Sequence, residues 1–307
     1  MSKVSIVGAG RVGAATCHLM ARTGLTEVVL VDIADGLAEG EALDIAQSLA
    51  VEGIDAHLLG TQDFREIGGS DLVIVTAGSP RKPGMTREDL LHKNADIISS
   101  VAEQIALRAP NSTVCVVTNP VDVMTYLTLK KTGFAPERVF GQAGVLDSGR
   151  FRLFLAKEMG VSVKDVTAMV LGGHGDSMVS IPAYTTVSGI PVTERIPSDS
   201  LDRITRRTRE AGAEVVGLMK TGSAYRGPAA AAVQMAQAFL LDSKRVMPTS
   251  AYLSGQYGVH DVYLGVPARL GAGGVEEILE LLLSPQELCD LQASATFYRE
   301  QNSKLRV

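Results

Sequence analysis

The strongest constraint on this chain is a rhythm in its first half. Short, almost wholly apolar runs at residues 4–7, 28–31, 56–59, 72–76 and 114–117 alternate with longer stretches. Those at 12–22, 37–49 and 87–107 carry helical periodicity. Apolar residues in unbroken succession suit parallel strands covered on both faces. Strands alternating with helices predict an α/β fold built on a doubly wound parallel sheet. Val139-Phe140-Gly141 offers a sixth strand.

The second half loses that rhythm. Residues 148–159 read as a helix, 166–171 as a strand, and 187–192, with Gly189 and Pro191, as a bent or edge strand. A charged amphipathic helix is expected over 201–220 and an alanine-rich one, led by Pro228, over 229–241. Glycine-broken apolar runs over 253–271 suggest antiparallel hairpins, and 276–283 and 286–300 read as closing helices. The expectation is a nucleotide-binding Rossmann unit over 1–145, followed by an α+β substrate-binding unit over 146–307.

Composition narrows the function classes. The chain has 307 residues, 46% hydrophobic and 21% charged, as expected of a globular protein with a substantial core. A net charge of −5 argues against nucleic acid or an anionic membrane as partner. The three cysteines, Cys17, Cys115 and Cys289, form no CxxC pair, which excludes a disulfide framework and leaves no metal signature. The N-terminus shows no signal-peptide pattern and no run reaches membrane-spanning length, so a cytoplasmic protein is expected.

Gly8-Ala9-Gly10-Arg11-Val12-Gly13 follows the first strand and opens the first helix. This GxGxxG pattern is weak alone and gains weight from that context. Gly8 permits a tight turn, Gly10 lets a pyrophosphate approach the backbone, and Gly13 lets helix and strand pack closely. Free N–H groups at the helix start favour phosphate. Asp32 ends the second strand at the spacing where a carboxylate binds both ribose hydroxyls and repels a 2′-phosphate, so NAD is expected over NADP. Thr76-Ala77-Gly78 and Val117-Thr118-Asn119 end the fourth and fifth strands, where they would line the cofactor.

Oxidising an alcohol requires a base beside the hydride acceptor. His174, within Gly172-Gly173-His174-Gly175-Asp176, is the best of five histidines. Asp147 can orient it, although Asp147 can equally cap the following helix, and Asp176 is a rival partner. Arg150, one turn beyond Asp147, offers a guanidinium to a carboxylate. The stretch Ser79-Pro80-Arg81-Lys82-Pro83-Gly84-Met85-Thr86-Arg87 has the stiffness and the glycine of a lid, whose closure would bring Arg81 and Arg87 onto substrate.

Taken together, residues 76–87, Asn119-Pro120, Gly141-Gln142-Ala143-Gly144-Val145-Leu146-Asp147, the 172–176 stretch and Gly222-Ser223-Ala224-Tyr225 resemble the lactate/malate dehydrogenase family, in its lactate-dehydrogenase-like malate branch. The resemblance covers nearly the whole chain. It implies that His174 accepts the proton with Asp147 as its carboxylate partner. Arg150 would clamp the first substrate carboxylate and Arg87 polarise the reacting carbonyl. Asn119 would touch substrate and cofactor, Asn94 the cofactor, and the Asn119–Pro120 bond would be cis.

Arg81 stands where lactate enzymes of the family carry a neutral residue, commonly Gln, which implies a dicarboxylate substrate, (S)-malate or oxaloacetate. A buried cation left without its partner costs about 3–5 kcal/mol. Ala224, where the lactate branch tends to place Thr, fits a roomier pocket. Arg226, Ser180 and Ala183 depart from common family residues, outside the catalytic set. The resemblance also implies a homo-oligomer, tetramer favoured over dimer. Two alternatives remain: a lactate or broad 2-hydroxy-acid dehydrogenase, and a noncatalytic NADH sensor, which would need only the glycines and Asp32.

Overall fold

A computed structural model describes residues 1–79 and 86–305. The first half forms β1 (Ser2–Val7), β2 (Thr26–Val31), β3 (Leu58–Thr61), β4 (Leu72–Val75), β5 (Thr113–Val116) and β6 (Val139–Gly141). Between them run α1 (Arg11–Ala21), α2 (Leu37–Val51), α3 (Arg87–Arg108) and α4 (Val121–Thr132). The strands lie parallel in the order β3-β2-β1-β4-β5-β6. The chain order reverses between β1 and β4, so their carboxyl ends open the crevice where such sheets bind ligands. Val28, Val29, Leu30 and Val31 are fully buried, as are Leu72, Val73 and Ile74, because helices cover both faces.

The second half adds α5 (Gly144–Met159), β7 (Val166–Thr167), β8 (Val170–Gly172), β9 (Met178–Ser180), β10 (Thr186–Val187) and β11 (Ile190–Pro191). It closes with α6 (Ser198–Met219), α7 (Arg226–Leu240), β12 (Arg245–Ser254), β13 (His260–Gly271), β14 (Gly274–Ile278) and α8 (Pro285–Asn302). Among the described residues the large sheet continues from β6 through β12, β13, β8 and β9, with β14 also on β13. The link is a single antiparallel pairing, Gly141 with Ser250. A small sheet, β11-β10-β7, stands apart.

Four expectations change. Residues 276–283 are not a helix: Val275 and Ile278 pair with Leu270 and Ala268, so strand pairing overrides the helical propensity of Glu and Leu there. The strand expected over 166–171 is divided between the two sheets, as β7 and β8. The segment 187–192 turns back on itself, pairing Val187 with Ile190. The hairpin expected from residue 253 begins at Arg245, despite Pro248 within it. Helix α4 gives no amphipathic signal because eight of its residues are buried, on every side.

Candidate active site

The nucleotide crevice is built largely from missing side chains. Gly8 has φ +106°, and a Cβ there would stand 2.6 Å from the Ala77 nitrogen. At Gly13 a Cβ would sit 1.7 Å from the Gly8 carbonyl oxygen, and at Gly78 it would sit 2.7 Å from the Thr118 methyl. Gly10 differs, since its Cβ position faces open space. No side chain caps α1, whose first turn begins at Arg11 and Val12, so its leading N–H groups point to the crevice mouth. The Thr76 hydroxyl donates to the Gly8 carbonyl (2.9 Å) and Thr118 to the Ala77 carbonyl (2.7 Å), tying three strand ends together.

Asp32 accepts N–H bonds from Ala9 (2.6 Å) and Ala34 (2.9 Å). A carboxylate has about four acceptor sites, which leaves capacity for two ribose hydroxyls. Glycines that admit a backbone approach, an uncapped helix start and this carboxylate fit a dinucleotide. Asn94, nearly buried on α3, accepts the Ser79 N–H (2.8 Å) and donates to the Asn119 carbonyl (2.7 Å). It thereby joins the ends of β4 and β5. The Asn119–Pro120 bond is cis.

The end of the site around His174 is built from side chains brought together across the chain. Asp147 sits in the first turn of α5 and is 2% exposed. One of its oxygens meets His174 Nδ1 at 2.7 Å, and the other accepts from Arg150 Nη1 at 2.9 Å. This settles the geometry left open in the sequence: Asp147 reaches the histidine. Burial is the largest influence on the imidazole and opposes its charge. Asp147, through charge and hydrogen bond, together with Asp122, overcomes both burial and the Arg150 charge, so the His174 pKa lies above its ordinary value.

Three further groups grip the His174 loop and were not singled out in the reading above. Asp122, 1% exposed, accepts the His174 backbone N–H at 3.0 Å. Tyr298 donates its hydroxyl to the His174 carbonyl at 3.0 Å, and Ser294 accepts the Gly173 N–H at 2.9 Å. Gly173 makes room for this grip, because a Cβ there would stand 1.7 Å from the Tyr298 ring. Asp122 was detectable as a lone carboxylate in an apolar run two residues after Asn119-Pro120. Tyr298 and Ser294 lie on a helix whose contacts no local pattern reveals.

His174, Asn119, Leu91 and Tyr298 line a cavity of about 720 Å³. Arg209, a cation unmarked by sequence, also lines it and donates to the Met178 carbonyl at 3.2 Å. Arg81 lies outside the described residues, as does the Arg87 side chain, although Arg87 begins α3.

The chain matches the lactate/malate dehydrogenase NAD-binding domain over residues 2–141 and the family's C-terminal α/β domain over 144–304. It belongs to the lactate/malate dehydrogenase family. It is 52% identical over 307 residues to a malate dehydrogenase of Methanosarcina barkeri, covering 100% of both chains. Malate dehydrogenase from Salinibacter ruber superposes with a TM-score of 0.94 at 46% identity, over 99% of this chain and 97% of that one. A Cryptosporidium parvum lactate dehydrogenase, solved with lactic acid and NAD, reaches 0.96 at 43% identity, over 99% and 98%. Both branches of the family therefore share this frame, and membership brings an NAD-dependent oxidoreductase fold without choosing the substrate. No helix among the described residues is long and apolar enough to cross a membrane.

Proposed function

We propose that the protein interconverts (S)-malate and oxaloacetate, with NAD as cofactor and His174 as proton carrier. The observation that carries the chemistry is the 2.7 Å contact between His174 Nδ1 and the buried Asp147 carboxylate. With Nδ1–H committed to Asp147, Nε2 is the nitrogen left to exchange a proton. In oxidation neutral His174 takes the hydroxyl proton at Nε2; in reduction imidazolium returns it to the carbonyl oxygen. Asp147 favours the imidazolium by its charge, as an orienting carboxylate should.

Arg150 is assigned to the first substrate carboxylate, Arg87 to the reacting carbonyl and Arg81 to the second carboxylate, with Asn119 contacting substrate and cofactor. The cofactor residues are assigned as Gly8, Ala9, Gly10, Arg11, Val12, Gly13, Asp32, Thr76, Ala77, Gly78, Asn94, Val117, Thr118 and Asn119. When bound, the nicotinamide supplies the hydride chemistry that protein side chains lack. The names borne by the relatives favour malate, and Arg81 is the residue of this chain that argues for a diacid. Because a lactate enzyme shares the frame, the deciding experiment compares NADH consumption with oxaloacetate and with pyruvate. Strong preference for oxaloacetate supports the reading, and equal or greater use of pyruvate overturns it.

Self-association, as a tetramer before a dimer, belongs to the same proposal. Leu43 and Val51 on α2, Leu153 on α5, and Val216 and Leu218 on α6 are exposed. Gly40, Gly149 and Gly217 lie within those helices with open space at their Cβ positions. Glycine inside a helix costs about 1 kcal/mol against alanine, and close approach of a second copy gives it a use. Sedimentation of a monomer at micromolar concentration would overturn this.

A further inference from the structure

Asp122 is a buried carboxylate that the proton-transfer scheme leaves without a task. It lies in the first turn of α4 among Val121, Val123 and Met124, all buried. Taking a carboxylate out of water is costly, and helix packing alone would be better served there by an apolar residue. Burial pushes its carboxyl above the usual range, an effect the Ser250 hydroxyl and the His174 N–H partly offset. Its two oxygens reach separate elements: Oδ1 accepts from Ser250 Oγ on β12 at 2.6 Å, and Oδ2 accepts the His174 N–H at 3.0 Å. Asp122 also lies two residues after Asn119-Pro120, so the first turn of α4 links the Asn119 backbone to the histidine loop.

We propose that Asp122 is a positioning residue for His174, setting the place of the imidazole through the peptide N–H that it holds. This rests on the reading of His174 as the proton carrier. The imidazole is held at its ring by Asp147, while the peptide groups on either side of it are held, the preceding one by Asp122 from α4 and the following one by Tyr298 from α8. Release of the N–H lets the peptide rotate, and the ring then leaves either Asp147 or the substrate oxygen. A misplacement of about 1 Å can lower a rate roughly 10²-fold. The charged and titratable groups facing the ring are Asp147 and Arg150 on α5, Asp122 on α4, Tyr298 on α8, Asp176 in the same loop and Arg209 across the cavity.

The test compares Asp122→Asn and Asp122→Ala with His174→Asn, reading kcat and KM for oxaloacetate across pH, the NADH dissociation constant and the melting temperature. Asp122→Ala should lower kcat about 10- to 100-fold while NADH affinity stays within about twofold. Asp122→Asn keeps an acceptor for the N–H and should recover most of that loss. Its pH midpoint should lie about half a unit lower, because a negative charge near the imidazolium is gone. Folded Asp122→Ala with wild-type kcat and midpoint overturns the proposal, as does Asp122→Asn no faster than Asp122→Ala. If Asp122→Ala does not fold, Ser250→Ala decides: a kcat lowered about three- to tenfold at unchanged NADH affinity supports positioning, and an unchanged kcat overturns it. Turnover retained by His174→Asn removes the underlying reading. An inactive His174→Asn beside an unaffected Asp122→Ala removes only the role of Asp122.

Discussion

The nucleotide crevice and the proposed proton-transfer end meet at the carboxyl edge of one sheet but are made by opposite means. The crevice works by omission: Gly8, Gly13 and Gly78 leave no space for a Cβ, and Gly10 opens onto solvent. The other end works by accumulation, since α4, α5 and α8 each send a polar group to the one histidine of the 172–176 loop. Omission is written locally, in the spacing of the glycines, even where the atoms that would clash come from other strands. Accumulation depends on contacts across separations of 27 to 124 residues. Sensitivity should differ accordingly. Damage to the crevice should weaken cofactor binding and folding together, whereas damage at the other end should slow turnover and spare the cofactor.

The largest effect should come from His174→Asn, which removes the proposed proton carrier. General acid–base catalysis contributes about 10²–10⁴-fold, so kcat should fall by that factor while NADH affinity, read by fluorescence titration, holds. A comparable loss of NADH affinity would erase the contrast between the two ends. Next, if Arg81 meets the second carboxylate as proposed, Arg81→Gln should lower kcat/KM for oxaloacetate about 10²- to 10³-fold and raise relative activity on pyruvate, following the cost of removing one partner of a desolvated charge pair. Wild-type discrimination in this variant would dissociate Arg81 from substrate choice.

Gly13→Ala probes the crevice. A Cβ 1.7 Å from the Gly8 oxygen forces the helix from the strand, at about 1–3 kcal/mol or more. Thermal melting should show a lower Tm and titration a weaker NADH complex, in parallel. Asp32→Ser should be the mildest: about tenfold weaker NADH binding and a narrowed preference over NADPH, measured as paired dissociation constants. An unaltered NADH/NADPH ratio would separate Asp32 from the ribose.

The same contrast explains what the residue order disclosed. Gly8, Gly10, Gly13 and Asp32 were legible because their spacing follows from a strand, a turn, a helix and the next strand in direct succession. The strands of the first half were legible because burial on both faces leaves continuous apolar runs. His174 stood out through its glycine neighbours, yet its link to Asp147 remained one of several options until folding closed the distance. Asp122 was passed over although its carboxylate interrupts an apolar run, because it lies inside a helix so fully buried that it shows no period. Residues 276–283 misled for a related reason: Glu and Leu favour a helix locally, and pairing with β13 overrules them. Their Glu276 carboxylate is drawn to Lys244, far away in sequence.

The most direct measurement is single-turnover reduction of oxaloacetate as a function of pH, with a deuterium isotope effect to establish that hydride transfer limits the rate. Reduction requires imidazolium, and Asp147 holds the His174 pKa above its ordinary value. The rate should therefore stay level up to a midpoint above the ordinary imidazole value and then fall about tenfold per pH unit, while oxidation of malate rises with pH. A reduction rate independent of pH across that range, with the isotope effect intact, would contradict His174 as the proton carrier.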